Sequence, residues 1–221
     1  MASDARTPRT PVQPRAIRRR EQVLDAAARI LDRQGYDGLT TNAVAAEAGV
    51  AVGTVYEYFR GREALVHGLL LRHGARLEAA VDVALATGGG RAAIADRTVD
   101  LLERFWREEP GYRAAWTATQ LPGLLRETGQ AWSVAFTERI AIALGTMTEQ
   151  PLRWRRRVAR TVVHLVSGLV MVAAFSTEPE RRAMLVETKI AVEAYLAARL
   201  ETRATEVSGV RSRRGSTRKK G

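Results

Sequence analysis

Cysteine is absent from the sequence, and histidine is scarce. Without cysteine, neither a disulfide framework nor a thiolate metal site can form, which fits a reducing cytoplasm. The three histidines offer no ligand set, because His67 and His73 fall on different helix faces and His164 stands alone in an apolar run. No Ser/His/Asp set, phosphate-binding loop or carboxylate pair with a catalytic rationale is present. We therefore expect no enzyme, no metal and no cofactor.

No apolar run is long enough to cross a bilayer. The longest, 162–175, has about 14 residues and contains His164 and Ser167, whereas a spanning helix needs about 20 apolar residues. The N-terminus has arginines and prolines but no apolar core of a signal peptide. We expect a cytoplasmic protein with no membrane partner, in which this run is a buried helix.

The excess of positive charge is confined to the two ends of the chain. The formal net charge is +11, and residues 1–20 contribute +5 of it while residues 203–221 contribute the remaining +6. Because residues 21–202 are neutral, bulk charge does not indicate that the body of the chain binds polyanions. We predict a disordered basic arm over residues 1–15 and a disordered basic tail over residues 204–221.

Convincing period-two alternation is also lacking, so the sequence predicts an all-α protein. Glycine and proline separate the helical patterns: a first helix over 16–34 ends at Gly35, and "GGG" at 88–90 and Pro110-Gly111 end later ones. We expect an N-terminal three-helix domain over 16–62 and a helical domain over 63–203. Its helices are predicted at about 62–87, 91–108, 111–120, 121–146, 151–175 and 179–203.

The stretch 40–59, TTNAVAAEAGVAVGTVYEYF, reads as a helix that is interrupted after two turns. Gly49 permits a turn of the backbone, and Val55 and Phe59, four residues apart, are predicted to face the core. Their expected neighbours there are Ile30, Leu31, Val44 and Ala48. The residues left outside are Val52, Gly53, Thr54, Tyr56 and Tyr58. This pattern predicts a helix-turn-helix whose second helix protrudes far enough to enter a DNA major groove.

The same residues resemble a known family. The segment GLTTNAVAAEAGVAVGTVYEYFRGREAL, preceded by VLDAAARILDRQGY, is similar to the DNA-binding segment of the TetR (tetracycline-repressor-like) regulators over about residues 18–66. The resemblance implies an all-helical homodimer that binds double-stranded DNA and a small-molecule effector. It also implies that the ligand pocket and the dimer interface lie in the C-terminal two-thirds of the chain.

By position, the resemblance implies DNA contacts for Thr41, Asn42, Ala51, Val52, Gly53, Thr54, Tyr56, Tyr58 and Arg62. Asn42 is the expected base reader, since asparagine pairs with adenine through two hydrogen bonds. The chain departs from the family at Ala51, where serine often caps the recognition helix, and at Gly61, a weaker cap than the usual polar residue. Residues 21–62 carry four basic against six acidic side chains. Phosphate contacts are therefore also expected from the preceding Arg15, Arg18, Arg19 and Arg20.

The large aromatic residues are concentrated after residue 104. Three tryptophans on successive predicted helices are interpreted as lining one cavity with neighbouring aromatic and polar side chains. The predicted pocket comprises Phe105, Trp106, Trp116, Thr117, Gln120, Trp132, Phe136 and His164. The alternative is that these aromatic side chains simply form the core, as aromatic residues at helical spacing usually do.

The last two predicted helices are apolar on more than one face, which a single chain can hardly cover. A symmetric four-helix interface would bury both faces. The predicted dimer interface comprises Val162, Leu165, Leu169, Val172, Leu185, Val192 and Leu196. Five arginines over 152–160 lie at a helix N-terminus, against the helix dipole, with Glu178 and Glu180 as expected acidic partners.

Together these features predict a sequence-specific, homodimeric repressor that a small apolar or aromatic ligand releases from a palindromic operator. Two alternatives remain open from the sequence. One is a helical-bundle carrier or enzyme that uses the aromatic cavity, which would leave the exposed tyrosines unexplained. The other is a nonspecific, architectural DNA-binding protein that uses its basic ends.

Overall fold

The computed structural model of the chain describes residues 13–120 and 123–214, with side chains described for 13–120 and 123–200. Over those residues the fold is all-α, as predicted, and contains no strand. Its elements are α1 (Pro14–Gly38), α2 (Thr41–Ala48), α3 (Val52–Tyr58), α4 (Arg62–Ala86), α5 (Arg91–Glu108), α6 (Tyr112–Ala118), α7 (Leu124–Ala143), a 3-10 helix (Leu144–Thr146), α8 (Leu152–Ala174) and α9 (Glu178–Arg214). Residues 1–12 and 215–221, most of the predicted arm and part of the predicted tail, lie outside the described residues.

Two helices extend beyond their predicted ends. α1 begins at Pro14, because proline suits the first turn of a helix, so the predicted arm does not reach residue 15. α9 continues to Arg214, which makes residues 204–214 helical rather than disordered as expected. Its arginine, alanine and glutamate residues have good helix propensity, and the overall hydrophilicity of the segment misled the sequence-based prediction. α7 passes through Gly129 without a break.

The helices divide into two compact units. The first unit contains the chain up to Ala80 together with Glu103–Val134, and the second contains Val81–Leu102 and the chain from Ala135 onward. α4, α5 and α7 therefore contribute residues to both units. The unit that holds the helix-turn-helix is larger than the predicted domain over 16–62, since α6 belongs to it as well.

Glycine and threonine set the ends of the first three helices. Gly35 adopts φ +67° and ψ −169° inside α1, which breaks the helical geometry where its end was predicted. Thr40 caps α2 by accepting a hydrogen bond from the amide of Ala43 at 3.1 Å. Gly49 ends α2 in the left-handed conformation at φ +64°, and α3 follows after two residues. Because these signals act on neighbouring residues, the positions of the two short helices could be predicted closely from the sequence.

The core of the first unit holds the helix-turn-helix in place. Val55 and Phe59, the two residues of the α3 segment predicted to face inward, are fully buried, together with Leu24, Ile30, Leu31, Val44 and Leu65. Gly68 of α4 lies directly under the Phe59 ring, where a Cβ would come within 2.5 Å of Cε1. This close approach places the first turns of α4 against the end of α3 and leaves the other face of α3 free.

The second unit is built around the packing of α8 on α9. Val162, Val192 and Leu196 are buried within the chain, each at 4% exposure or less. Side chains already covered by their own chain have no surface left for a partner, so the prediction that these three belong to a dimer interface is corrected. The stripes were identified properly as apolar, but periodicity cannot tell which stripe faces the chain itself.

The remaining predicted interface residues lie nearer to the surface. Leu165, Leu169 and Leu185 are partly exposed, and Val172 is exposed. α8 is long and apolar enough, by length and composition alone, to pass as a membrane span, although helices in the cores of soluble proteins pass the same test. The buried valines of α8, including Val166 and Val170, show that one face of this helix packs inside the chain.

The arginines at the start of α8 have other partners than those expected. Arg156 pairs with Glu138 of α7, with Nε 2.7 Å from the carboxylate, and Arg155 donates to the carbonyl of Ala141 at 3.2 Å. Glu178 instead pairs with Arg181 and Arg182, one turn further along its own helix. Glu180 accepts hydrogen bonds from the amide and the hydroxyl of Thr177 and so caps α9. The predicted partnership of Glu178 and Glu180 with the arginine cluster is therefore corrected.

Candidate nucleic-acid interface

The α2–α3 motif presents a polar surface that is not needed by the core. Asn42, Ala51, Val52 and Gly53 are exposed, Thr54 and Tyr58 are partly exposed, and the Tyr56 side chain is 51% exposed. Ala51 is the N-cap residue of α3 and makes no side-chain capping bond, as its sequence predicted. The first amides of α3 are consequently without a side-chain cap, and helix N-termini of this kind favour a phosphate oxygen.

Two hydroxyl groups of this surface come together across the turn. The Thr41 hydroxyl at the start of α2 donates to the Tyr56 hydroxyl at 3.2 Å, which links the two helices at their exposed edge. The Tyr56 hydroxyl hydrogen is not used in this bond, so it can be donated to a phosphate oxygen without rearrangement. Thr40, by contrast, uses its hydroxyl to cap α2, and its role is structural.

Arg62 lies in a different setting from the phosphate grip that the resemblance implies. Its guanidinium sits over the Tyr36 ring, 4.3 Å from the ring centroid, and donates to the Tyr36 carbonyl at 3.3 Å. Asp37 adds an ion pair at 3.6 Å. These contacts fasten the start of α4 to the turn between α1 and α2, while the side chain stays 42% exposed. Arg62 thus holds the motif together and still reaches the surface.

The arginines before residue 21 fall into two groups. Arg15 and Arg18 are exposed on the first turns of α1, and Arg19 is partly exposed and donates to Gln22 at 3.1 Å. Arg20 instead covers the Phe59 ring at 5.4 Å and pairs with Glu21. Its side chain is only 17% exposed. The structure therefore leaves three of the four arginines available to phosphates.

Two more arginines are used within the motif. Arg29 and Arg33 of α1 both donate to Glu47 of α2, at 2.7 and 2.5 Å. Their hydrogen bonds lower the pKa of Glu47 below its usual value, so the carboxylate stays charged and keeps both arginines occupied. Within the described residues of this segment, the positive charge left for an anionic partner therefore lies on the first turns of α1 and at Arg60 and Arg62.

The predicted pocket residues of the first unit form a packed aromatic cluster. The Trp116 ring of α6 stacks on Trp132 of α7, with centroids 5.8 Å apart and planes 17° apart, and on Tyr112 at 6.4 Å. Trp106 meets both Tyr112 and Trp116 edge to face. We define the aromatic cluster as Trp106, Tyr112, Trp116 and Trp132.

The other predicted pocket residues are placed less uniformly. Phe105 touches Tyr112 edge to face at 5.8 Å, whereas Thr117 and Gln120 are exposed on or just after α6. Phe136 and His164 belong to the second unit, and His164 is exposed. His164 was expected in an apolar setting, and its exposure shows that it lies on the outer side of α8.

Two members of the site were missed by sequence reasoning. Tyr112 is the most enclosed ring of the cluster, and its burial raises the pKa of its hydroxyl. His73 of α4 is fully buried beside it, with ring centroids 5.6 Å apart in an edge-to-face contact. Burial, with the nearby positive charges of Arg72 and Arg76, lowers the pKa of His73 to about 3. No sequence signal marks either position, because both depend on long-range packing of α4 against α6.

The aromatic cluster is connected directly to α1. The amide of Gly111, at the N-cap of α6, donates to the Asp32 carboxylate of α1 at 2.9 Å. Gly111 has φ +73°, and a Cβ there would lie 2.9 Å from the Ala28 Cα, so the two backbones are in close contact. We call this contact the α1–α6 junction. Arg72 of α4 adds ion pairs to Glu21 and Asp25 of α1, at 3.3 and 2.6 Å.

Among the described residues, no group of three or more histidine, cysteine or carboxylate side chains is arranged to hold a metal ion. The described residues instead form a helix-turn-helix whose second helix is exposed. The buried core and the contacts of Arg62 fix the position of this motif. Such a motif defines a DNA-binding protein of the helix-turn-helix class.

Comparison with known proteins identifies the family. Residues 23–69 match the model described as "Bacterial regulatory proteins, tetR family", and residues 89–200 match the "Tetracyclin repressor-like, C-terminal domain" model. The chain belongs to the tetR family, whose members are transcriptional regulators.

Individual relatives agree with this assignment. The HTH-type transcriptional regulator Rv1255c of Mycobacterium tuberculosis, itself uncharacterised, is 30% identical over 169 residues, which cover 76% of this chain and 81% of that protein. The repressor KstR of Mycolicibacterium smegmatis is 41% identical over 71 residues, 32% of this chain and about a third (35%) of KstR. A TetR-family regulator from Streptomyces coelicolor has a solved structure with TM-score 0.66 and 29% identity, covering 82% of this chain and 99% of that one.

Proposed function

We propose that this protein is a cytoplasmic, homodimeric repressor that binds a palindromic operator and is released from it by a small apolar or aromatic ligand. The observation that carries the proposal is the α2–α3 surface, where exposed groups surround the Thr41–Tyr56 hydroxyl pair. A second observation supports ligand control: the aromatic cluster lies in the same compact unit and is joined to α1 by the α1–α6 junction.

Sequence recognition is assigned to the start of α2 and the first turns of α3. Asn42 is exposed and presents an amide that can pair with adenine in the major groove, while Val52 offers methyl groups to thymine. Thr41, Thr54, Tyr56 and Tyr58 are assigned to phosphates and to the edges of bases. The exposed arginines of α1 add phosphate contacts that hold the motif in register.

Release is assigned to a displacement of α6. A ligand that separates the rings of the aromatic cluster would shift α6, and α6 is fixed to α1 through Gly111 and Asp32. A ligand that binds one arrangement of these helices more tightly shifts the population toward it. The factor by which the ligand lowers operator affinity equals the factor by which the operator lowers ligand affinity.

The dimer is assigned to the outer faces of α8 and α9. Val172 on α8 and Val186 and Ile190 on α9 are large apolar side chains with exposures between 50% and 55%. Each lies on the side of its helix opposite to the buried valines of the second unit. A two-fold partner with the same face would cover them and give a palindromic site two recognition helices.

The proposal is tested by selecting operators from random double-stranded DNA with the full-length protein. A dimeric repressor selects a palindrome whose half-sites lie one helical turn, about 34–36 Å, or a multiple of it apart. Binding to the selected site should exceed binding to scrambled DNA by on the order of a thousandfold at the same salt concentration. Selection of no consensus, with equal affinity for both DNAs, would instead support the nonspecific architectural alternative.

A further inference from the structure

One buried polar side chain beside the aromatic cluster, that of His73, has no hydrogen-bond partner that explains its position. His73 is fully buried, and within the described part of the chain neither Nδ1 nor Nε2 has a hydrogen-bond partner of acceptable geometry. Buried polar atoms in native proteins are nearly always paired with protein or with bound molecules. A buried imidazole that has no hydrogen-bond partner among aromatic rings therefore indicates that a bound ligand supplies the missing hydrogen bond.

The surroundings of the ring determine which nitrogen is available. The Glu109 carboxylate lies 3.3 Å from Nδ1 of His73 and also pairs with Arg76 at 2.5 Å. A nearby anion favours the neutral tautomer that carries its proton on Nδ1. Nε2 then has a bare lone pair, so it can accept a hydrogen bond but cannot donate one.

The walls of the site favour a flat ring. Trp116 and Trp132 face each other in parallel at 5.8 Å, and the Trp132 indole lies against the backbone of Gly74, the residue after His73. Because a Cβ at Gly74 would overlap the indole, the glycine allows this ring to approach the α4 backbone next to His73. Such rings gain from offset-stacked or edge-to-face contact with a further aromatic ring.

We propose that the effector is a flat aromatic molecule with a hydroxyl group, which inserts beside Trp116 and Trp132 and donates its hydroxyl hydrogen to Nε2 of His73. This inference rests on the proposed ligand-controlled function and adds the chemical class of the ligand and the residue that selects it. A carboxylate or a ring that can only accept hydrogen bonds fits poorly, since Nε2 has no proton to offer it.

The test compares 2-naphthol with 2-methoxynaphthalene, which has the same ring and the oxygen but no donor. Binding is measured without DNA by quenching of tryptophan fluorescence. Wild-type protein should bind the naphthol roughly three- to tenfold more tightly, the range expected for one net hydrogen bond. His73→Phe should remove this preference, and His73→Gln, which retains an acceptor oxygen, should restore part of it. His67→Gln, on the same helix, is the matched control and should keep the full preference.

A spectroscopic measurement separates a hydrogen bond from a change in packing. The chain has only three histidines, so the ¹⁵N signals of His73 can be assigned with the two histidine variants. The naphthol should shift the Nε2 resonance of His73, and the methyl ether should not. Equal affinities of the two compounds, no binding of either, or a preference that survives in His73→Phe would overturn the inference.

The outcome is separable from that of the proposed release mechanism. If the naphthol binds with the expected preference but leaves the complex with the selected operator intact, the ligand assignment stands and the release mechanism fails. If a ligand of another class releases the operator while both naphthalenes fail to bind, the repressor function stands and the assignment of His73 fails.

Discussion

At the scale of single residues, exposure separates the side chains that we propose to contact DNA from those that hold the motif together. Thr40, Arg29 and Arg33 are used in caps and ion pairs inside the motif, whereas Asn42 and Tyr56 extend from it. Contacts to base edges and contacts to phosphates should therefore be separable by substitution, because only the former depend on the DNA sequence.

Asn42→Ala is expected to weaken binding to the selected operator by about 1–3 kcal/mol while binding to random DNA changes little. The loss should be concentrated at one base pair of each half-site, which competition with single-base operator variants would reveal. Tyr56→Phe removes the hydroxyl paired with Thr41 and should weaken operator and random DNA to similar extents. A uniform loss with Asn42→Ala would show that this side chain contacts the backbone only.

His73 makes stability depend on pH. Its pKa of about 3 in the folded chain lies below the ordinary value near 6.5, so the unfolded chain binds more protons between these values and stability falls as the pH falls. From pH 7 to 5 the loss should be roughly 2 kcal/mol of unfolding free energy. Urea unfolding of wild type and His73→Gln at both pH values measures it, and the variant should lose less.

Of the other groups with a lowered pKa, the carboxylates titrate below this pH window, whereas a second histidine contributes within it. Glu47, Glu178 and Glu180 have pKa values below 4.5 and stay charged above pH 5. Burial also lowers the pKa of His67, so His67→Gln supplies the comparison for the second histidine. Identical pH dependence in wild type and His73→Gln would show that the imidazole is not held neutral.

At the scale of helices, the sequence predicted well what local signals determine. Gly35, Gly49 and Thr40 end or begin helices through their own backbone or hydroxyl, and α5 has the bounds that were predicted from the flanking glycines and Pro110. The helix-turn-helix and its outward surface followed from these breaks and from the spacing of Val55 and Phe59.

Features that depend on contacts between residues distant in the sequence could not be predicted from such local signals. Val162, Val192 and Leu196 satisfy an apolar stripe equally well whether the stripe packs inside one chain or between two. His73 was set aside because no ligand spacing surrounds it in the sequence, yet α6 brings Tyr112 to it and the turn before α6 brings Glu109. Helical periodicity predicts which face of a helix is apolar, but not which helix or chain covers that face.

The first turns of α1 give a prediction for the salt dependence of DNA binding. Replacing Arg15, Arg18 and Arg19 with alanine should weaken operator and random DNA similarly and reduce the slope of log K against log salt by roughly one to three units per subunit. Arg20→Ala is the control, because its side chain covers Phe59; it should lower stability and leave the slope nearly unchanged. An unchanged slope in the triple variant would show that these arginines contact solvent only.

At the scale of the whole molecule, the proposed palindromic operator requires that two copies of the chain join. Val172→Glu combined with Ile190→Glu should give a folded monomer in sedimentation experiments, because both charges would enter the proposed interface. Loss of the second half-site should lower operator affinity by roughly a hundredfold or more. Val83→Glu, at a more exposed apolar position on α4, should remain dimeric. A dimer of unchanged stability in the double variant would place the interface elsewhere.

The parallel stacking of Trp116 on Trp132 has an optical consequence. Two indoles at this separation do not absorb light independently, because their excited states mix and the pair acquires circular dichroism of its own. That signal depends on the angle between the two rings, so it reports the geometry of α6 against α7 without any added label. The same coupling adds an aromatic contribution to the far-ultraviolet spectrum, so the helix content of this highly helical chain cannot be calculated from that spectrum as if peptide groups alone absorbed there.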